Sequence, residues 1–118
     1  MAKFRMPFLP EWKEKMLNDR KTCTSRVTRY CREGDEFEAF EREFVVTTIY
    51  QVNLDFVSCI LFRQEGCSSP QAFIDIWNRI HPKKRFIPMQ LVWVHWFKPK
   101  FVRNDRPIIE EIQGLFQF

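Results

Sequence analysis

The sequence predicts an α+β domain built around a small barrel or curled sheet, on three observations. Helix-like and strand-like segments follow one another as helix, two or three strands, two helices, then strand. Segment 91–97 is apolar on both faces, as a central strand is. The chain has 118 residues, with thirteen phenylalanines and four tryptophans, enough for one aromatic-rich core and too few for a second domain.

The elements are justified in chain order. Residues 6–9 are a short apolar entry, and Pro10 opens a helix where its missing N–H costs nothing. Leu9, Trp12, Met16 and Leu17 share one helical face, with Glu11, Lys13, Glu14 and Lys15 outside it. Asn18 and Asp19 suit its end, since both tolerate the left-handed conformation. The basic, threonine-rich stretch 20–32 has no apolar helical face and reads as a loop leading into a strand.

Glu33-Gly34-Asp35 is a turn. Phe37 and Ala39 alternate with Glu36 and Glu38, which predicts a half-exposed strand over 37–40. Residues 44–50, β-branched and aromatic, predict a better buried strand. Val57, Ile60, Leu61 and Gln64 mark a short helix ending at Gly66. Ser69 as N-cap and Pro70 in the first turn start another, with Phe73, Ile74, Trp77 and Ile80 on its apolar face and His81-Pro82 at its end. Lys83-Lys84-Arg85 is an exposed basic turn.

Beyond Pro99 the chain turns polar, and Ile108, Ile109, Ile112, Leu115 and Phe116 then predict an amphipathic helix begun at Pro107. The domain is assigned to residues 4–99 and a helical C-terminal extension, packed on it, to 100–118. The stripe of the extension must be buried, on its own barrel by preference or against another copy. The expected state is a monomer or weak homodimer.

The longest apolar stretch, 91–97, is far shorter than the ~20 residues that cross a bilayer. No apolar run follows the early basic residues as in a signal peptide, so a cytoplasmic protein without membrane contact is expected. The four cysteines then read as reduced thiols. None is spaced as C-x-x-C and neither histidine is near them, so no metal site and no cofactor are expected. A net charge of +4 permits a polyanionic partner without requiring one.

Chemistry concentrates in Leu17-Asn18-Asp19-Arg20-Lys21-Thr22-Cys23-Thr24-Ser25-Arg26. Just after a helix it sets a lysine, a threonine and an arginine at fixed offsets: a compact cation, a hydroxyl that attacks once a base is adjacent, and a fork that grips phosphate or carboxylate. The plain alternative is a solvated basic loop.

This segment resembles the signature of ASCH domains, L-x-G-x-K-x-x-T-x-R. Leu17, Lys21, Thr24 and Arg26 match it, and Asp19 stands where the family has glycine. Glu33-Gly34-Asp35-Glu36-Phe37 and the run Glu65-Gly66 to Ser69-Pro70-Gln71-Ala72-Phe73 are similar to further family steps in the same order. The resemblance spans residues 8–98. It implies a PUA-like β-barrel with flanking helices and a cleft beside the signature loop that takes RNA or a nucleoside.

One branch of the family, similar in size, removes acetate from N(4)-acetylcytidine. Carried over, its catalytic residues are Lys21, Thr24 and Glu65. Thr24 would attack the acetyl carbonyl or position water, Lys21 would take the proton, and Glu65 would orient the lysine or protonate the leaving amine. The resemblance thus implies a small amidohydrolase. The alternatives are a non-catalytic RNA-binding module and, more remotely, a ribonuclease.

Arg20, Arg26, Arg29, Arg32, Lys83, Lys84 and Arg85 are candidates for a phosphate-binding rim, against the plainer reading of a solvated face. Trp93 and Trp96, on opposite strand faces, offer at most one base-stacking ring. His95 reads as a satisfied core histidine, His81 as a helix-end residue, and Cys23 as a small packed side chain despite the cations around it.

Overall fold

The computed structural model describes residues 2–101. The amphipathic segment expected from Pro107 onward, and its docking, lie outside them.

Four strands form one antiparallel sheet: β1 (Cys23–Arg26), β2 (Glu36–Ala39), β3 (Arg42–Asn53) and β4 (Leu91–Pro99), in the order β1-β4-β3-β2. The doubly apolar β4 lies inside the sheet, as its sequence predicts. The twelve-residue β3 carries a register shift between Val46 and Thr48. Such a bulge bends a strand, and here it helps curl the sheet into a half-barrel.

A 3₁₀ turn (Pro10–Trp12) runs into α1 (Lys13–Leu17), and two further helices follow, α2 (Leu54–Ile60) and α3 (Pro70–Ile80). The predicted cap of α3 is formed: Ser69 Oγ accepts from the Ala72 amide at 3.0 Å. Asn53 caps α2 in the same way, accepting from the Phe56 amide at 2.9 Å.

Inside the curl, Phe37, Phe44 and Phe97 pack with ring centroids 5.2–5.4 Å apart, and Phe8 stacks on Phe37 at 5.7 Å. Offset and edge-on pairs of this kind add to the burial of the rings themselves.

β1 and β2 are not neighbours in the sheet, so a seam remains between them. The N-terminal segment lies along it. Lys3 bridges Glu36 on β2, with the Phe4 amide donating to the Glu36 carbonyl at 3.0 Å. Further along, Arg26 Nη2 on β1 donates to the Pro7 carbonyl at 2.7 Å.

Three expectations are corrected. Stretch 20–32 is not only a loop, because it contains β1, whose Cys23, Thr24 and Ser25 are buried. A strand made of polar residues gives no apolar alternation to read. Leu17 does not join the buried face of its helix and is exposed. Glu36 is buried rather than solvent-facing, and Lys100 Nζ pairs with it at 2.9 Å.

Candidate active site

The end of α1 aims the site. Asp19 takes a left-handed conformation at φ 59°, as a residue just past a helix end does. The Arg20 amide returns to the Lys15 carbonyl at 2.7 Å and the Asp19 amide to Met16 at 3.4 Å, which together make a Schellman turn. Arg42 Nη1 braces it from β3, donating to the Leu17 carbonyl at 3.0 Å and to Asp19 Oδ1 at 3.3 Å. The Lys21 amide also donates to Lys15, at 3.0 Å, so the side chain of Lys21 leaves the turn in a fixed direction.

That side chain goes inward. Lys21 is only 2% exposed, and its Nζ donates to the Cys23 carbonyl (3.0 Å), the Glu65 carbonyl (2.9 Å) and Glu65 Oε1 (3.1 Å). All three protons of an ammonium are thereby engaged. The face of Trp12 adds a cation–π contact at 4.4 Å.

Glu65, 4% exposed, is held at its second oxygen by Ser25 Oγ. Gly66 follows it at φ 97°, where a Cβ would meet Trp12 at 2.9 Å and Lys21 at 3.2 Å. Glycine is therefore required beside the ion pair, both for the turn and for the close approach.

Thr24 and Arg26 face the other way along β1. Arg26 Nε donates to Thr24 Oγ1 at 3.0 Å, so the partner of the threonine hydroxyl is arginine and not lysine. The guanidinium sits against the rings of Phe8 and Tyr30, 5.0 and 5.2 Å from their centroids.

These groups share one cavity of about 410 Å³, within the ~300–1,000 Å³ of small-molecule sites. Lys21, Thr24, Ser25, Arg26 and Glu65 supply its polar wall. Phe8, Trp12, Tyr30, Phe73 and Trp77 supply its aromatic wall.

Lys21, Thr24 and Glu65 are thus brought together, but as buried groups rather than at an exposed cleft surface. Ser25, hydrogen-bonded to Glu65, was not singled out in the sequence. Its only signal is the odd–even spacing that puts it on the Cys23 face of β1.

The basic candidates disperse. Arg26 lines the cavity, while Arg29 and Arg32 border a shallower hollow that shares Tyr30 with it. Arg20, Lys83, Lys84 and Arg85 are exposed and line neither hollow. Trp93 and Trp96 line neither as well: Trp93 sits against Arg29 at 5.5 Å, and Trp96 Nε1 donates to Tyr50 Oη at 2.9 Å.

Other titratable groups are structural. His95 is fully buried, and its Nε2 accepts from the Tyr30 amide at 3.1 Å. Nδ1, 3.1 Å from the Trp93 carbonyl, then carries the proton of a neutral ring. Burial pushes its pKa below the ordinary histidine value, and the hydrogen bonds from Nδ1 only partly oppose this. Burial likewise pushes the Cys23 thiol well up, so it is no activated nucleophile. His81 closes α3, with Nδ1 3.2 Å from the Trp77 carbonyl. All four cysteines are free thiols. Among the described residues no three His, Cys, Asp or Glu side chains gather as a metal site would need, and no helix is long and apolar enough to cross a membrane.

No protein-family model and no curated protein matches the chain. Solved structures do. The hypothetical protein PH0355 superposes with a TM-score of 0.65 at 16% identity, over 83% of this chain and 99% of its own. An ASCH domain from Lactobacillus crispatus JV V101 superposes with a TM-score of 0.59 at 11% identity, over 83% and 79%. Protein PF0455 from Pyrococcus furiosus gives 0.58 at 16% identity, over 84% and 98%. At such identities the likeness is one of fold.

Proposed function

We propose that this chain, an α+β domain with the PUA-like fold of ASCH domains, hydrolyses an amide on a small nucleoside, N(4)-acetylcytidine or a close relative. The carrying observation is the convergence of Lys21, Glu65, Thr24 and Ser25 on one aromatic-walled cavity. A cavity of about 410 Å³ suits a single nucleoside better than a folded polyanion.

Amide hydrolysis joins the hydroxyl of water to the acyl carbon and delivers a proton to the departing nitrogen. Three groups are needed: a hydroxyl or ordered water to attack, a proton carrier, and a positive charge where the carbonyl oxygen becomes anionic. Thr24 presents the hydroxyl. Glu65 is the proton carrier. Lys21, whose three protons are engaged, serves as the fixed positive charge rather than as the resting base.

The test is incubation with a panel of acetylated and methylated nucleosides, with release of acetate and cytidine as the readout. Lys21→Ala and Thr24→Ala are each expected to lower the rate by a factor of about a hundred to ten thousand. Full turnover in both variants removes the proposal.

A second reading, an RNA-binding module, is favoured by the hollow beside Arg29 and Arg32, which adjoins the cavity at Tyr30. Its mark is salt: RNA affinity held by several phosphates falls steeply with added salt, whereas the KM for a free nucleoside does not.

A further inference from the structure

His95 is a buried polar residue in the apolar run of β4, and what it holds is part of the cavity wall. Its Nε2 accepts the Tyr30 backbone N–H at 3.1 Å, while Nδ1 donates to the Trp93 carbonyl at 3.1 Å. The two rings also meet edge to face, with centroids 6.1 Å apart at 89°. Residues 27–30 are exposed and belong to no strand or helix, so they have no ladder of their own, and His95 ties them to β4.

Tyr30 lines both the cavity and the neighbouring hollow. Its ring lies 5.2 Å from the Arg26 guanidinium, which in turn donates to Thr24 Oγ1. A neutral imidazole offers one acceptor, whereas an imidazolium has none and carries a proton on each nitrogen. Protonation of His95 therefore sets two N–H groups against each other at Nε2, and the Tyr30 amide has to leave. The surroundings oppose that charge. Burial lowers the pKa most, the Thr24 and Trp93 carbonyls partly offset it, and Arg26 on β1 and Arg29 beside Tyr30 add like charge. From β3 the residue opposite is Ile49, whose amide donates to Glu33 Oε2.

We infer that His95 is a positioning residue for the candidate site: neutral, it pins the Tyr30 backbone and with it the ring that walls the cavity; protonated, it releases both, so ligand binding weakens in acid. The choice of cytidine as probe rests on the nucleoside reading above. The latch between His95 and Tyr30 does not depend on it.

The first arm needs no ligand. In ¹H–¹⁵N spectra of the wild-type protein, the Tyr30 amide resonance is expected to shift as pH falls, with the same midpoint as the His95 ring nitrogens. A Tyr30 amide that stays in place while His95 titrates, or a His95 ring that remains neutral down to acid unfolding, overturns the inference. The second arm is calorimetry with cytidine. Affinity is expected to drop at least about fivefold across the His95 titration, and by reciprocity cytidine should lower the pH at which the His95 ring titrates. His95→Gln, which sets a non-titrating acceptor within reach of the Tyr30 amide, is expected to remove the acid weakening. His81 also lines the cavity and is intact in that variant, so weakening that survives there belongs to His81 and overturns the assignment. Absence of cytidine binding at every pH counts against the nucleoside reading, and the spectral arm still decides the latch.

Discussion

Lys21 Nζ and Glu65 Oε1 lie 3.1 Å apart with both side chains buried. Truncating either leaves the other as an uncompensated buried charge, at about 3–5 kcal/mol. Lys21→Ala and Glu65→Ala are each expected to lose about that much stability in urea titrations. Lys21→Met combined with Glu65→Gln, which removes both charges and keeps volume, should lose clearly less than the sum. Strict additivity would mean that the pair is not coupled. Kinetics of Lys21→Ala therefore need a fold check by circular dichroism beside them.

Ser25 satisfies the second Glu65 oxygen. Ser25→Ala is expected to cost about 1–3 kcal/mol, because it strands a buried acceptor. Thr24→Ala, whose hydroxyl is bonded only to a partly exposed arginine, should cost less. Thermal melts of the two variants decide the order, and a reversal would argue against the Ser25–Glu65 bond.

His95 makes stability depend on pH. Its folded pKa lies below the ordinary histidine value of 6.5, so between the two values the unfolded chain binds the extra proton. The stabilisation is present above about pH 6.5 and is lost as pH falls through the folded pKa. Melting temperature should decline below pH 6.5 in the wild type. His95→Gln should flatten that limb and leave the later carboxylate transition of Glu11 and Glu43, whose pKa values lie below 4.5. An unchanged slope in the variant would assign the effect elsewhere.

Two backbone positions carry opposite expectations. Asp19 sits at φ 59°, so Asp19→Gly should hold or raise stability while Asp19→Ala lowers it by about 1 kcal/mol. Gly66→Ala adds left-handed strain and a 2.9 Å contact with Trp12, so it should destabilise by about 1–3 kcal/mol and disturb Lys21. Chemical denaturation of the three variants checks both.

What could be read in the sequence follows its apolar patterning. β4, the Ser69 cap and the left-handed Asp19 and Gly66 each leave a local mark: a run, a hydroxyl before proline, a tolerant Asp, a glycine; the helix expected to run to Gly66 ends instead at Ile60. β1 leaves none, because its buried side chains are a thiol and two hydroxyls whose burial is justified only by partners such as Glu65 and Arg26. For the same reason Ser25 escaped notice while Thr24, carried by the signature, did not. Glu36 and Glu65 look solvent-facing in sequence, and cations 64 and 44 residues away decide otherwise. The aromatic wall was legible as composition only. Which rings meet the cavity depends on how α3 lies against β1.

The seam between β1 and β2 has one more implication. Residues 2–9 fill the seam as a stave does: Lys3 is fastened to one rim, Pro7 to the other, and Pro7, Phe8 and Leu9 also line the cavity. Arg26 holds Pro7 and Thr24 at once, so loosening the stave reaches the Thr24 hydroxyl through a single guanidinium. Ligand occupancy is therefore expected to steady the seating of residues 2–9. A filled cavity should slow proteolytic clipping near Arg5.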